Sequence, residues 1–142
     1  MYNRIICGID LSDDGHALVT KALELARDPD KVHLAHVGEH PITGYGEMTG
    51  HNHQVTECQI RQAIYPHLER LAKHHRLHSR HIHIPFGKPA HALHQLAEEL
   101  DADLIVIGSH GHQGLRLLLG STANSVLHGA KCDVLTLRLR DE

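Results

Sequence analysis

No apolar run in this chain of 142 residues approaches the roughly 18 to 20 consecutive residues that a membrane span needs. Nothing at the start resembles a signal peptide, because Met1-Tyr2-Asn3-Arg4 leads directly into a strand-like run. The three cysteines, Cys7, Cys58 and Cys132, form no CxxC pair and no even disulfide framework. They read as reduced thiols, so the expected setting is cytoplasmic. No basic stripe accompanies the formal charge of −3, which argues against nucleic acid as a partner. What remains is ordinary for a globular protein: 41% apolar and 22% charged residues, in a length that suits one domain over 1–142.

Histidine is the abundant residue. There are 17, against 14 lysines and arginines together. Imidazole titrates near pH 6.5, so full protonation would carry the net charge from −3 to −3 + 17 = +14. Acidification to about pH 5.5 should therefore alter solubility and self-association.

Strand and helix signals alternate along the chain. Arg4 to Ile9 is a nearly continuous apolar run, as in a strand buried on both faces. Ser12-Asp13-Asp14 is a good helix start, and Leu18, Ala22, Leu25 and Ala26 then fall on one stripe. Asp28-Pro29-Asp30 breaks that helix, and Lys31 to Val37 reads as a second strand. Glycines and Pro41 mark 38–54 as a loop.

A second helix is expected over about Val55 to Leu77, with Ile60, Ile64, Leu68, Leu71 and Ala72 inward. Pro66 should kink it or mark its real start. His81 to Pro85 is a third strand, and Pro89 suits the first turn of a helix buried through Leu93, Leu96, Ala97 and Leu100. A fourth strand covers Leu104 to Ile107, a fourth helix runs from Ser121 to His128 and stops at Gly129, and Asp133 to Leu139 alternates like an exposed edge strand. This order predicts an α/β fold: a doubly wound, five-stranded parallel sheet of order 3-2-1-4-5, with helices on both faces. Ligands bind such sheets beyond the carboxyl ends of the strands, where the winding reverses. Here that point lies between the first and fourth strands.

The fourth strand runs into a glycine-studded turn, which delivers Gly120, Ser121 and Thr122 to a helix start. Glycine leaves no Cβ between backbone and ligand, and a helix start offers unpaired N–H groups and the positive end of a dipole. A phosphate-bearing ligand fits that combination; tight strand-to-helix packing is the alternative reading. Residues 108–122 hold only Arg116, His110 and His112, with no lysine of the P-loop kind. Backbone amides and hydroxyls would carry the binding.

Four features together resemble the universal stress protein family: the first strand running into Asp10, Gly87-Lys88-Pro89 before the third helix, the Asp-Leu-Ile-Val-Ile-Gly-Ser-His-Gly block from Asp103, and Gly120-Ser121. The ending Cys132-Asp133-Val-Leu-Thr-Leu-Arg138 resembles the universal stress protein A branch. The resemblance implies an adenine nucleotide alpha hydrolase-like fold of order 3-2-1-4-5, cytoplasmic stress-response duty, and homodimers paired through fifth strands, here Val134 to Leu139. It also implies ATP or AMP binding, with Mg²⁺ as a companion, through a pattern G-x2-G-x9-G-[S/T]. Gly108 and Gly111 match its first glycines, and Gly120-Ser121 its last pair. By that analogy Ile9, Asp10 and Val37 border adenine and ribose, while Gly108, His110, Gly111, Gly120, Ser121 and Thr122 hold ribose and phosphates. The loop 112–119 has eight residues, one short of the pattern. A dimeric interaction protein of the same fold, acting on an unknown protein partner and binding no nucleotide, therefore stands beside the nucleotide reading.

Enzymatic machinery is not visible. No paired carboxylates or nucleophile–base couple lies near the turn, and Asp10 alone is as well explained as a turn former. An adenylating enzyme would want Ser-Gly-Gly-x-Asp-Ser after the first strand, where this chain has Gly8-Ile-Asp-Leu-Ser-Asp13. Binding without turnover, and folding without a cofactor, is the expectation. No HExxH occurs, and the pairs His81/His83, His74/His78 and His51/His53 read as solvated surface rather than metal ligands. His36, His40, His110 and His112 share the predicted ligand end of the sheet and could meet phosphate charge.

Overall fold

The computed structural model describes residues 2–11, 15–38, 56–110 and 121–139. Five parallel strands lie in the order β3-β2-β1-β4-β5: β1 Ile5–Gly8, β2 Val32–Ala35, β3 Ile82–His83, β4 Leu104–His110 and β5 Asp133–Leu139. The helices are α1 Gly15–Ala26, α2 Glu57–His74, α3 Pro89–Leu100 and α4 Ser121–Gly129. The expected fold class and strand order are therefore found.

The two-residue period of a strand divides the core. Ile5, Cys7, Val32, Leu34, Leu104 and Val106 face α1 and α2. Ile6, Ala35, Ile105 and Ile107 face α3 and α4, where they meet Leu93, Leu96, Ala97 and Val126. Strands buried on both faces have little polar side to display, which is why β1 and the start of β4 read as apolar runs.

Several boundaries differ from the sequence expectation. Helix α2 begins at Glu57, behind a capping box in which Thr56 accepts from the Gln59 N–H and Gln59 accepts from the Thr56 N–H. Pro66 lies inside this helix and is not its start. It sits on the exposed face, where water can reach the Gln62 carbonyl that loses its helical partner. The same helix stops at His74, not Leu77. Arg76 takes φ +62, the Leu77 N–H donates to Ala72, and the Arg76 N–H donates to Lys73. That is a Schellman turn without glycine, and the buried Leu77 seals it.

Strand β3 is only two residues long, and β4 is longer than expected. Gly108, Ser109 and His110 continue β4 by pairing with Leu137, Arg138 and Leu139. Gly108 is thus a strand residue. The helix-start signal Ser12-Asp13-Asp14, all but Gly38 of the expected loop 38–54, and residues 111–120 of the expected glycine turn lie outside the described residues. Gly87 has φ +129, a conformation open to glycine that lets Pro89 begin α3 directly.

Candidate functional site

Parallel strands end together, so the segments that leave β1, β2 and β4 gather at one edge of the sheet. Ile9 follows β1 and is buried; its N–H donates to the Ala35 carbonyl at 2.7 Å. His36 follows β2, and its Nδ1–H donates back to the Ile9 carbonyl at 2.6 Å. One ring nitrogen of His36 is therefore committed to holding these two segments together. Asp10 is exposed beyond Ile9, and Val37 is half-buried against the α3/α4 core.

A second tie fixes the exit of β2. Gly38 bridges to Phe86 in parallel, and its N–H donates to the Pro85 carbonyl at 2.8 Å. The Phe86 ring lies so close over Gly38 that an added Cβ would stand 2.6 Å from its Cε2 atom. The same ring carries the Arg61 guanidinium, 4.8 Å from the centroid, and Arg61 also donates to the Ile84 carbonyl. Gly38→Ala would force the Phe86 ring away from Gly38. We expect it to cost about 1–3 kcal/mol, read as a lower denaturation midpoint, and to disturb the placement of Val37.

Of the nine residues expected to hold a nucleotide, Ile9, Asp10, Val37, Gly108 and His110 fall at this carboxyl edge of β1, β2 and β4. Ser121 and Thr122 open α4, as expected, so their backbone N–H groups belong to its unpaired first turn. Gly111 and Gly120 lie outside the described residues, as do His40 and His112.

Beside this edge a cleft of about 650 Å³ opens between the start of α1 and the far half of α2. Ile9, Leu11 and Gly15 form one wall, and Leu68, Leu71 and Arg70 the other. At its margin, His16 of α1 meets His74 and His75. The His16 Nδ1 and His75 Nε2 atoms are 3.0 Å apart. The expected pairing of His74 with His78 does not occur, because the helix ends first. His78 instead caps the turn Ser79–His81, its Nδ1 accepting from the Arg80 N–H.

A second histidine group departs from the sequence expectation of solvated surface: His81 is buried and His83 half-buried. His81 is 6% and His33 9% exposed. Their rings stack at 4.3 Å, the His81 Nδ1–H donates to the Val32 carbonyl, and His33 Nδ1 lies 3.0 Å from His83 Nε2. Burial, and then the charges of His81 and His83, pull the His33 ring down to about 4. Sequence reasoning named His74, His81 and His83 but set them aside as solvated, and it missed their partners His16, His75 and His33. The partners are joined across 59 and 50 positions, a distance that local spacing cannot report.

Two of the three thiols are held in the protonated form. Cys7 is buried and its thiol is pushed up to about 12 by that burial. Cys132 is raised by burial and by the carboxylates of Asp133 and Asp103, so neither is a ready thiolate at neutral pH.

Comparison with known proteins bears on this arrangement. The model of the universal stress protein family matches residues 1–138. Universal stress protein A homolog 1 of Coxiella burnetii is 36% identical over 146 aligned residues, covering 99% of each chain. Among solved structures, hypothetical protein MJ0577 superimposes on all of this chain with a TM-score of 0.76 at 18% identity, the match covering 100% of both. A universal stress protein in complex with cAMP matches over 96% of each chain, with a TM-score of 0.59 and 25% identity. By its family match and its full-length relatives, this chain belongs to the universal stress protein family.

Proposed function

We propose that this protein is a stress-response regulator that binds an adenine nucleotide at the carboxyl edge of its sheet and turns nothing over. The reading is supported by one observation: Ile9, Asp10, Val37, Gly108 and His110 lie at the exits of β1, β2 and β4, and Ser121 and Thr122 at the start of α4, near the reversal of winding. Ile9, Asp10 and Val37 border the base and sugar in this reading. Gly108, His110, Gly111, Gly120, Ser121 and Thr122 hold sugar and phosphate. ATP or AMP is the ligand, with Mg²⁺ balancing phosphate charge. The related structure in complex with cAMP supports a nucleotide in this family of folds. We further propose one cytoplasmic domain over 1–142, paired as a homodimer through β5. That strand ends the sheet, and antiparallel pairing across a two-fold axis would satisfy its outer backbone groups.

A second reading, a dimeric interaction protein with no nucleotide, is favoured by the eight-residue loop 112–119 and by the absence of lysine from 108–122. Calorimetry and thermal melts with ATP and Mg²⁺ separate the two. A ligand at 100 times its Kd adds about 2.7 kcal/mol of stability, and we expect the melt to register it. Gly120→Val, which fills the space assigned to phosphate, should abolish the shift. Absence of heat and of any shift at millimolar ATP would establish the interaction protein instead. Steady ATP turnover lost in Asp10→Ala would replace both readings with an enzyme.

A further inference from the structure

We propose that His16, His74 and His75 form a binding site for one divalent transition-metal ion of the zinc class, with a coordination position left open to the cleft. The three rings offer one nitrogen each, and these atoms all lie within 4.8 Å of one another. A tetrahedral zinc ion with bonds of about 2.0–2.1 Å spaces its ligand nitrogens roughly 3.3 Å apart. The 3.0 Å separation of His16 Nδ1 and His75 Nε2 is already near that value. His16 and His74 are exposed, so their rings can turn to close the remaining distance.

Ring orientation favours convergence. Centroids are separated by 4.7 Å for His16–His74, 4.9 Å for His74–His75 and 5.2 Å for His16–His75, with interplanar angles of 76°, 72° and 43°. A nitrogen lone pair lies in the plane of its ring, so steeply inclined rings can aim three lone pairs at one point. The buried group is a useful contrast. His33 and His81 stack within 18° of parallel, which sends their lone pairs side by side, and His81 Nδ1 is already bonded to Val32. A chelate geometry is present in one cluster and absent in the other.

The local fold explains why neighbours in sequence can act together. Within a continuous helix, successive residues are about 100° apart around the axis. His75 is the cap of α2, with φ −102 and ψ 9, and the chain then turns through Arg76. That exit brings the His75 ring beside His74 and against His16 at the head of α1. His75 is half-buried, so its ring is held more firmly than those of its two exposed partners.

Three imidazoles with no carboxylate among them suit zinc, nickel, cobalt or copper, and do not suit calcium or magnesium. Arg70 and Lys73 line the same cleft, so water or a small anion would complete the shell. None of the three ligands is among the residues proposed for nucleotide, and the inference stands if that proposal fails.

The test uses the full chain without a histidine tag. Zinc titrated by calorimetry should show one tight event per chain, followed by weak binding to scattered histidines. Cobalt should give the intense visible bands of a low-coordinate site, and saturating zinc should raise Tm. His16→Ala and His75→Ala, each checked for folding by circular dichroism, should weaken the tight event by at least about 30-fold and remove the cobalt bands. His83→Gln should leave both intact. Zinc-edge X-ray absorption of the unaltered protein should count three imidazoles, a readout that needs no variant. Only weak and equivalent events, wild-type affinity in His16→Ala, or a count of one imidazole would each overturn the site.

Discussion

Leu68→Ala is expected to lower the unfolding free energy by about 3 kcal/mol, seen as a fall in denaturation midpoint with an unchanged slope. Helix α2 is long but holds to the sheet through few contacts: Ile64, Leu68, Leu71 and Ala72 are its buried side chains. Leu68 is fully buried among them. Truncating it removes three carbons from the α1/α2 core and leaves a cavity, because Ile64 and Leu71, one turn away on either side, are already engaged. The same residue walls the cleft and stands on the helix that delivers His74 and His75. Leu11→Ala is the control. Leu11 is 37% exposed, so its loss should cost only a few tenths of a kcal/mol. A loss below about 1 kcal/mol for Leu68→Ala would mean that α2 slides inward to fill the gap.

The frame of this protein was legible because its strands obey a simple rule. β1 and the first half of β4 are buried on both faces and advertise themselves as apolar runs, and β2 is as buried but interrupted by His33. The helices between them carry apolar stripes at helical spacing, and parallel order with right-handed crossovers leaves few arrangements. Boundaries were less legible where the chain uses unusual residues for ordinary turns. Arg27, Arg76 and Asp101 take the left-handed conformation after α1, α2 and α3, and no glycine announces those stops. The extension of β4 through His110 depends on its pairing with β5, a contact between distant segments that local pattern cannot report.

The candidate nucleotide edge was legible in outline for the same reason as the sheet: residues at strand ends must share an edge. The histidine sites were not. His74 and His78 look paired by helical spacing, yet a cap after His74 breaks the spacing and a residue on another helix supplies the partner. His81 looks like a surface residue because histidine is polar. It is buried because its N–H finds the Val32 carbonyl and its face finds His33. Polarity predicts exposure only when no partner waits inside.

Acid should weaken the fold between pH 6.5 and about 4, and His33 should account for much of the loss. Unfolded, its imidazole takes a proton below about pH 6.5. Folded, it resists until about pH 4, because burial and then the charges of His81, His83 and Arg4 oppose the cation. Between those values the unfolded chain binds more protons, so stability rises with pH across the window. The contribution is complete above pH 6.5 and gone below about 4. The interval from 6.5 to about 4 corresponds to about 3 kcal/mol in full, or roughly 2 after allowing for the ring's contact with water.

His83 adds to the effect with the same sign. Its pKa is lowered by burial and then by His81, against an opposing pull from Glu99 of α3. His33→Leu keeps similar bulk and cannot titrate. It should cut the stability difference between pH 7 and pH 4.5, taken from urea melts at constant ionic strength, by about 2 kcal/mol. The general charging of the exposed histidines is common to both chains and cancels in the comparison. Equal acid losses in the two proteins would mean that His33 charges freely within the fold, and that the stacked histidines between β2 and the turn before β3 open in acid without cost.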